Sequence, residues 1–236
     1  MNPHDWLLYQ DDALLVVNKP AGLPTLPDGY QPAAPYLVSL LQEAFGPLWV
    51  VHRLDRETSG VIVLARTADA HRELNRQFRE RDVTKVYHAL VAGQPTWDAC
   101  TLDLPLRPDG DRQHRTVVDR AAGKPSITAC RVLERLGAYT LIEAQPQTGR
   151  PHQIRAHLAA AGLPLVGDAL YAGLGGGLQG EAGAALRRLV LDAAPLARLG
   201  LHARSLTIAH PITAAAMTFA APYPADFSEA LARLRG

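Results

Sequence analysis

The chain has 236 residues, 47% of them hydrophobic, and 24 Lys and Arg against 23 Asp and Glu leave a formal net charge of +1. That apolar content fills a sizeable core, and the balanced charge excludes the global basic field that announces a nucleic-acid partner, although basic residues can still gather on one face. No apolar run approaches membrane-spanning length, no basic-then-apolar leader opens the chain, and Cys100 and Cys130 lack metal-like spacing and read as buried thiols, so the expectation is a cytoplasmic protein with no membrane attachment.

Two short apolar runs, residues 6–10 and 13–18, flank Asp11-Asp12 and predict a hairpin, which Lys19-Pro20-Ala21-Gly22 closes with turn residues. Residues 24–35, rich in Pro and Gly, continue as loop. Leu37, Leu40, Leu41 and Phe45 recur at helical spacing and Gly46-Pro47 stops them, which predicts a helix over 36–45. Residues 48–51 and 61–65 are apolar, and the second run lacks alternation, so it predicts a strand buried on both faces. Between them lies His52-Arg53-Leu54-Asp55-Arg56-Glu57-Thr58-Ser59-Gly60, with four formal charges and a glycine pressed against buried strands. Asp55 stands between Arg53 and Arg56. Charges resist desolvation, so this loop reads either as a site built around an ionised aspartate or as a solvated turn with ordinary surface pairs.

Thr67 can cap a helix over 68–81, with Asp69 in its first turn, Arg79 and Arg81 at its end, and Ala70, Leu74 and Phe78 as its apolar stripe. Its basic side faces either a polyanion or water, since acids are interleaved. Residues 86–91 predict a strand and 99–106 another; the polar, basic stretch 107–124 predicts a β-ribbon or long loop. Strands follow over 126–134 and 139–144, around Leu136-Gly137-Ala138. Residues 151–161 predict a helix with Pro151 in its first turn, Gly162 past its end, Ile154, Leu158 and Ala161 facing the core, and His152 and Arg155 on one face. Over 172–200 a Gly-rich loop, 173–177, and an alanine-rich segment carry no clear pattern. Residues 206–208 and 217–219 predict closing strands and 226–235 a terminal helix. Strands outnumber helices without regular alternation, which predicts an α+β fold with a mixed, largely antiparallel central sheet and flanking helices. Without repeat or composition shift, residues 1–236 form a single domain.

Three polar clusters sit at element ends: residues 52–59, Lys85-Val86-Tyr87-His88-Ala89, and Gln147-Thr148-Gly149-Arg150-Pro151-His152-Gln153-Ile154-Arg155. An arginine near Asp55 would keep it ionised, and a tyrosine offers a flat face for a base and a hydroxyl for proton transfer. His152 and His157 lack a matching carboxylate or cysteine set, so no metal is expected. Residues 52–60 resemble the signature of the RluA-type pseudouridine synthases. Val17-Asn18-Lys19-Pro20-Ala21-Gly22 resembles that family's N-terminal motif, Lys85-Val86-Tyr87 its tyrosine motif, and Thr148 to Arg155 with Pro164-Leu165-Val166-Gly167-Asp168 its arginine motif. Leu201-His202-Ala203 resembles a later landmark, so the resemblance covers roughly residues 7–223.

The resemblance implies a catalytic domain with an active-site cleft that isomerises uridine in structured RNA to pseudouridine, with no cofactor. It makes Asp55 the essential carboxylate, leaving open whether it attacks sugar or ring or removes a sugar proton. Tyr87 stacks on the uracil, and Arg155 pairs with the aspartate. Arg53, Arg56, Arg150, His152 and Gln153 contact the substrate, a tRNA or rRNA hairpin bound by a monomer. Three departures stand out: no separate RNA-binding domain precedes the first motif, Pro151 replaces a small polar residue, and 172–200 looks expanded. Two other readings remain at this point. One is an RNA-binding or RNA-folding factor that keeps the fold without turnover, which the presence of Asp55, Tyr87 and Arg155 disfavours. The other is a hydrolase using Asp55, which would want a second placed carboxylate, and Glu57 is the one near candidate.

Overall fold

A computed structural model describes residues 2–27, 29, 34–173 and 180–236; the loop expected over 24–35 lies partly outside the described residues, and the Gly-rich loop expected over 173–177 lies mostly outside them. The chain folds into two compact units, residues 1–85 with 202–224 and residues 86–201 with 225–236.

In the first unit the predicted hairpin forms between β1 (Leu7–Gln10) and β2 (Leu14–Lys19). Asp11 closes it, its Oδ1 accepting from the Ala13 and Leu14 amides at 2.8 and 2.7 Å. Helix α1 (Leu37–Phe45) buries Leu37, Val38 and Leu41 and stops at Gly46, whose φ of +82° a side chain would resist. β3 (Trp49–Val50) and β4 (Ser59–Ala65) flank the charged loop. β2 runs antiparallel along one edge of β4, while β3 and the parallel β11 (Leu201–Ala209, residues 202–209 in this unit) share its other edge. β12 (Ala216–Ala220) continues the sheet antiparallel to β11. Flanked on both sides, β4 has all seven residues buried, as its unbroken apolar run predicted. Helix α2 (Ala68–Glu80) begins where expected: Thr67 Oγ1 accepts from the Ala70 amide at 3.1 Å, and Arg81 ends it in the left-handed region.

The second unit carries an antiparallel sheet in the order β5 (Thr84–Ala92, residues 86–92 in this unit), β10 (Tyr139–Pro146), β9 (Ile127–Leu136), β6 (Ala99–Asp103). The strand predicted over 99–106 breaks at Leu104-Pro105, and its last residues form β7 (Leu106–Arg107), which pairs with β8 (Val117–Val118) as a short ribbon within 107–124. Cys100 and Cys130, distant in sequence, face each other across β6 and β9 as free thiols. Helix α3 (Gln153–Ala160) lays Ile154 and Leu158 on Val91, Ile142 and Ala144 of the sheet.

α3 corrects one expectation. It starts at Gln153, not Pro151, because His152 takes a left-handed conformation at φ 52°, so His152 and Arg155 do not share a helical face. Helix α4 (Gly180–Leu191), for which the sequence offered no element, buries only Leu186 and Val190; two anchors among alanines and glycines make a faint periodic signal. Helix α5 (Ala225–Arg235) closes the chain. The class is α+β, as predicted, and among the described residues no helix is long and apolar enough to cross a membrane.

At the start of β4 the backbones of Gly60 and Ala203 approach closely. Gly60 has φ +118°, and a Cβ there would lie 2.2 Å from the Ala203 carbonyl oxygen. Gly60→Ala is therefore expected to destabilise the protein by on the order of 3 kcal/mol, through backbone strain and overpacking together, read as a lower urea midpoint at unchanged slope.

Candidate active site

Asp55 is half-buried at the first position of a tight turn, where the Thr58 amide donates to the Asp55 carbonyl at 3.1 Å. Five anchors fix this loop from within its own unit. Thr25, buried in the segment after the N-terminal motif, brackets the Leu54 peptide: its Oγ1 donates to the Leu54 carbonyl at 2.9 Å and accepts from the Leu54 amide at 3.2 Å. Lys19, at the end of β2 and 0% exposed, donates its ammonium to the carbonyls of Pro20, Leu23 and Arg56 at 2.8, 2.7 and 3.0 Å. The Gly22 amide donates to the same Arg56 carbonyl at 2.9 Å. Lys19-Pro20-Ala21-Gly22 thus supports the loop bearing Asp55, a role that its place at the end of an apolar run concealed.

The other anchors are histidines. The Val63 amide of β4 donates to His52 Nε2 at 3.1 Å, and the His52 ring stacks on Phe78 of α2 at 4.6 Å. Burial, with the charge of Lys85 adding to it, pushes this imidazole down to about 3, so it is neutral with the proton on Nδ1. At the far end, the Ser59 hydroxyl donates to Nδ1 of the buried His202 at 2.9 Å, and His202 Nε2 donates to the Ala221 carbonyl at 3.2 Å. His202 accounts for the Leu201-His202-Ala203 landmark as a brace between β11 and the start of β4.

The second unit holds Tyr87 and Arg155. Tyr87 lies half-buried on β5, opposite Ala144 of β10 and packed against the sheet's apolar cluster. Arg155 sits in the first turn of α3 and is gripped by Asp168, whose carboxylate takes Nε and Nη2 at 2.8 Å each. The side chains are 12% and 1% exposed, so a bidentate, largely desolvated pair sets the guanidinium plane. That plane lies 5.0 Å over the ring of Tyr171, whose hydroxyl accepts from the Thr116 amide at 3.0 Å and donates to the Thr116 carbonyl at 3.1 Å. Burial pushes the Tyr171 phenol up to about 12. Sequence reasoning gave no role to Thr25, Asp168 or Tyr171; Asp168 stood in a motif, while nothing near Thr25 or Tyr171 marked them.

Among the expected substrate contacts, Gln153 is corrected. It is 4% exposed and its amide is saturated by protein: Oε1 accepts from the Thr148 hydroxyl and the Arg150 amide, and Nε2 donates to the Ile127 carbonyl and to Thr128 Oγ1. It therefore holds the turn before α3 and has no donor or acceptor left for RNA. Arg150 is half-buried, its Nη2 3.4 Å from the Pro125 carbonyl. His152 contacts the Tyr171 hydroxyl through Nδ1 at 3.3 Å, Arg53 is exposed and Arg56 half-buried. Of the two readings of the basic side of α2, its own acids favour water: Arg72 pairs with Asp69, Arg76 with Glu73, Glu80 and Asp82, and Arg79 with Glu80. Among the described residues no group of three or more His, Cys, Asp or Glu is placed to hold a metal ion.

A family model described as RNA pseudouridylate synthase matches residues 13–160. The chain is 42% identical over 225 residues to the dual-specificity RNA pseudouridine synthase RluA of Escherichia coli (strain K12), covering 94% of each protein. It is 38% identical over 235 residues to ribosomal large subunit pseudouridine synthase D of Pseudomonas aeruginosa, covering 97% of this chain and 71% of that one. Among solved structures, human RNA pseudouridylate synthase domain containing 4 superposes with a TM-score of 0.76 at 31% identity, over 98% of this chain and 94% of that one.

The neutral His52 makes stability depend on pH in a stated direction. Its folded-state value, about 3, lies below the unfolded 6.5, so its contribution is complete above 6.5 and is lost as pH falls toward 3. The buried His157, also pushed down by burial, acts in the same sense. Between pH 7.5 and 5.0 unfolding stability should fall by about 2 kcal/mol for His52 alone, at roughly 1.4 kcal/mol per unit below 6.5. Urea midpoints at both pH values should show this loss in the wild type and a smaller one in His52→Asn.

Proposed function

The chain belongs to the RNA pseudouridylate synthase family and is an isomerase of that kind, and from this premise we propose that it converts specific uridines of structured RNA to pseudouridine with Asp55 as its essential carboxylate. The observation that carries the assignment is the Asp55 carboxylate, on a turn whose neighbouring peptide groups are tied down by Thr25, Lys19 and Gly22. Such anchoring serves a group that must act at a defined point. The reaction breaks the bond from C1′ to N1, turns the uracil and joins C1′ to C5; C5 loses its proton and N1 gains one, so the atoms balance within the nucleotide and no co-substrate is required.

In this reading Tyr87 stacks on the uracil and assists removal of the C5 proton. Arg155 is the cation of the site, its guanidinium plane set by the bidentate grip of Asp168. Arg53, Arg56, Arg150 and His152 contact the RNA around an extruded base, and Gln153 holds the turn that carries Arg150 and His152. With α2 neutralised by its own acids, further phosphate contacts fall to the ribbon segment 106–124, where Arg112, Arg120 and Lys124 stand exposed. Residues 1–236 act as one catalytic domain, since a single family model runs from residue 13 to 160 across both compact units. Every proposed site residue lies on one chain, which suits a monomer, and two free thiols suit a reducing cytoplasm. The relatives are named as synthases, which supports turnover over an RNA-folding factor.

Asp55→Asn should lower tritium release from RNA labelled at C5 of uridine by at least about 10³-fold, while keeping the thermal midpoint and most RNA affinity. Normal turnover by this variant would remove Asp55 from the mechanism.

The substrate is a compact hairpin, of a tRNA or of large-subunit rRNA, because unpaired loops are where bases are read and where flipping costs least, a few kcal/mol. Activity on a short excised hairpin is expected to fall steeply between 50 and 200 mM salt, about 10³-fold or more in affinity for six or more phosphate contacts. Mapping pseudouridines in RNA from cells with and without the gene identifies the hairpin. A site modified only in long rRNA would overturn the compact-target reading.

A further inference from the structure

The loop that carries Asp55 is polar, and its buried groups at Leu54 and Ser59 are hydrogen-bonded. Thr25 takes both groups of the Leu54 peptide, Lys19 and Gly22 take the Arg56 carbonyl, the Thr58 amide takes the Asp55 carbonyl, and His202 takes the Ser59 hydroxyl. The exception is the Thr58 hydroxyl. Thr58 is 2% exposed, its Oγ1 is shut off from solvent, and among the described residues it has no hydrogen-bond partner. Buried hydroxyls in native proteins are nearly always bonded, so an orphan beside bonded neighbours calls for a reason. Its position supplies one. Asp55 and Thr58 are the first and last residues of a single tight turn, closed by the 3.1 Å bond from the Thr58 amide, which keeps their Cα atoms within about 7 Å.

We propose that Thr58 is a positioning residue for catalysis: when RNA enters, its hydroxyl donates to the Asp55 carboxylate and fixes the orientation from which that carboxylate acts. A hydroxyl is suited to this, since it rotates to meet an acceptor that moves, while the branched side chain keeps few rotamers. The partner is absent before binding, so the bond strengthens the catalytic arrangement over the resting one, which is where an interaction accelerates a reaction. The proposal rests on Asp55 being the catalytic carboxylate.

Thr58→Val keeps the shape and removes the hydroxyl; Thr58→Ser keeps the hydroxyl. The assay is tritium release from total RNA, labelled at C5 of uridine and taken from cells lacking the gene, with thermal melts of each variant. Thr58→Val is expected to hold or raise the melting temperature, leave KM within about twofold, and lower kcat roughly a hundredfold, the scale of a small misplacement of a reacting group. Thr58→Ser should restore the rate. A purely structural hydroxyl moves none of these in a folded variant. Unchanged kcat in Thr58→Val overturns the proposal, as does a folded Thr58→Ser as slow as Thr58→Val. Should Thr58→Val fail to fold, Thr58→Ala removes the same hydroxyl, and full kcat there overturns the proposal. Asp55→Asn in the same assay separates the two claims: if it turns over normally the reading of Asp55 fails, and if it is inactive while Thr58→Val is fully active only the role of Thr58 fails.

Discussion

The Lys19 ammonium lies entirely out of water, and everything around Asp55 depends on how that charge is accommodated. An ammonium buried in apolar surroundings is strongly disfavoured unless oxygen atoms replace its hydration shell. Here the carbonyls of Pro20, Leu23 and Arg56 do so, which obliges the segment after β2 and the loop before β4 to converge on one point. The carbonyl of Arg56, one residue after Asp55, is thereby fixed as firmly as a strand residue, although it belongs to a loop. Thr25 does the same one residue before Asp55, using a hydroxyl where Lys19 uses a charge. A side chain on a loop has freedom of approach but poor definition; these two side chains supply the definition without placing Asp55 in a strand.

The second unit solves the same problem differently. Arg155 sits in the first turn of a helix, so its backbone needs no bracing, but a long flexible side chain does. Asp168 fixes the guanidinium in plane through two bonds, and the Tyr171 ring covers one of its faces. Tyr171 is in turn immobilised by both groups of the Thr116 peptide, so the ribbon segment and Arg155 share one support. Gln153 locks the preceding turn with all four of its hydrogen-bonding positions. Gln153, a candidate RNA contact by sequence, is thus an internal brace: buried and saturated, it holds its polar neighbours Thr148 and Arg150.

Charge follows a similar economy. The arginines of α2 are answered by acids within the same helix and the turn after it, which leaves a neutral face despite its density of cations. Net charge near zero and local neutralisation agree in disfavouring broad, non-specific attraction to polyanions.

Local order was legible wherever period and punctuation agreed. The unalternating run of β4, the Thr67 cap and the glycine stop after α1 all gave their elements directly, because strand burial, capping and positive φ are set by residues adjacent in the chain. The motif around Asp55 and the order of its companions likewise identified the residues on which a function could rest. Helix α4 escaped because two buried residues among alanines and glycines leave almost no period, and the start of α3 shifted because a left-handed His152 is not encoded by any residue type that demands it. What only the tertiary structure decided is which polar side chains are buried. Lys19, Thr25, His202 and Gln153 are ordinary polar letters in the sequence, and they become structural because residues tens of positions away present carbonyls, amides and a hydroxyl to them. The sequence by itself determined where the chain is apolar, where it turns and which residues are chemically able; the fold alone determined which of those are withdrawn from water, because desolvation is a property of the surroundings and not of the residue.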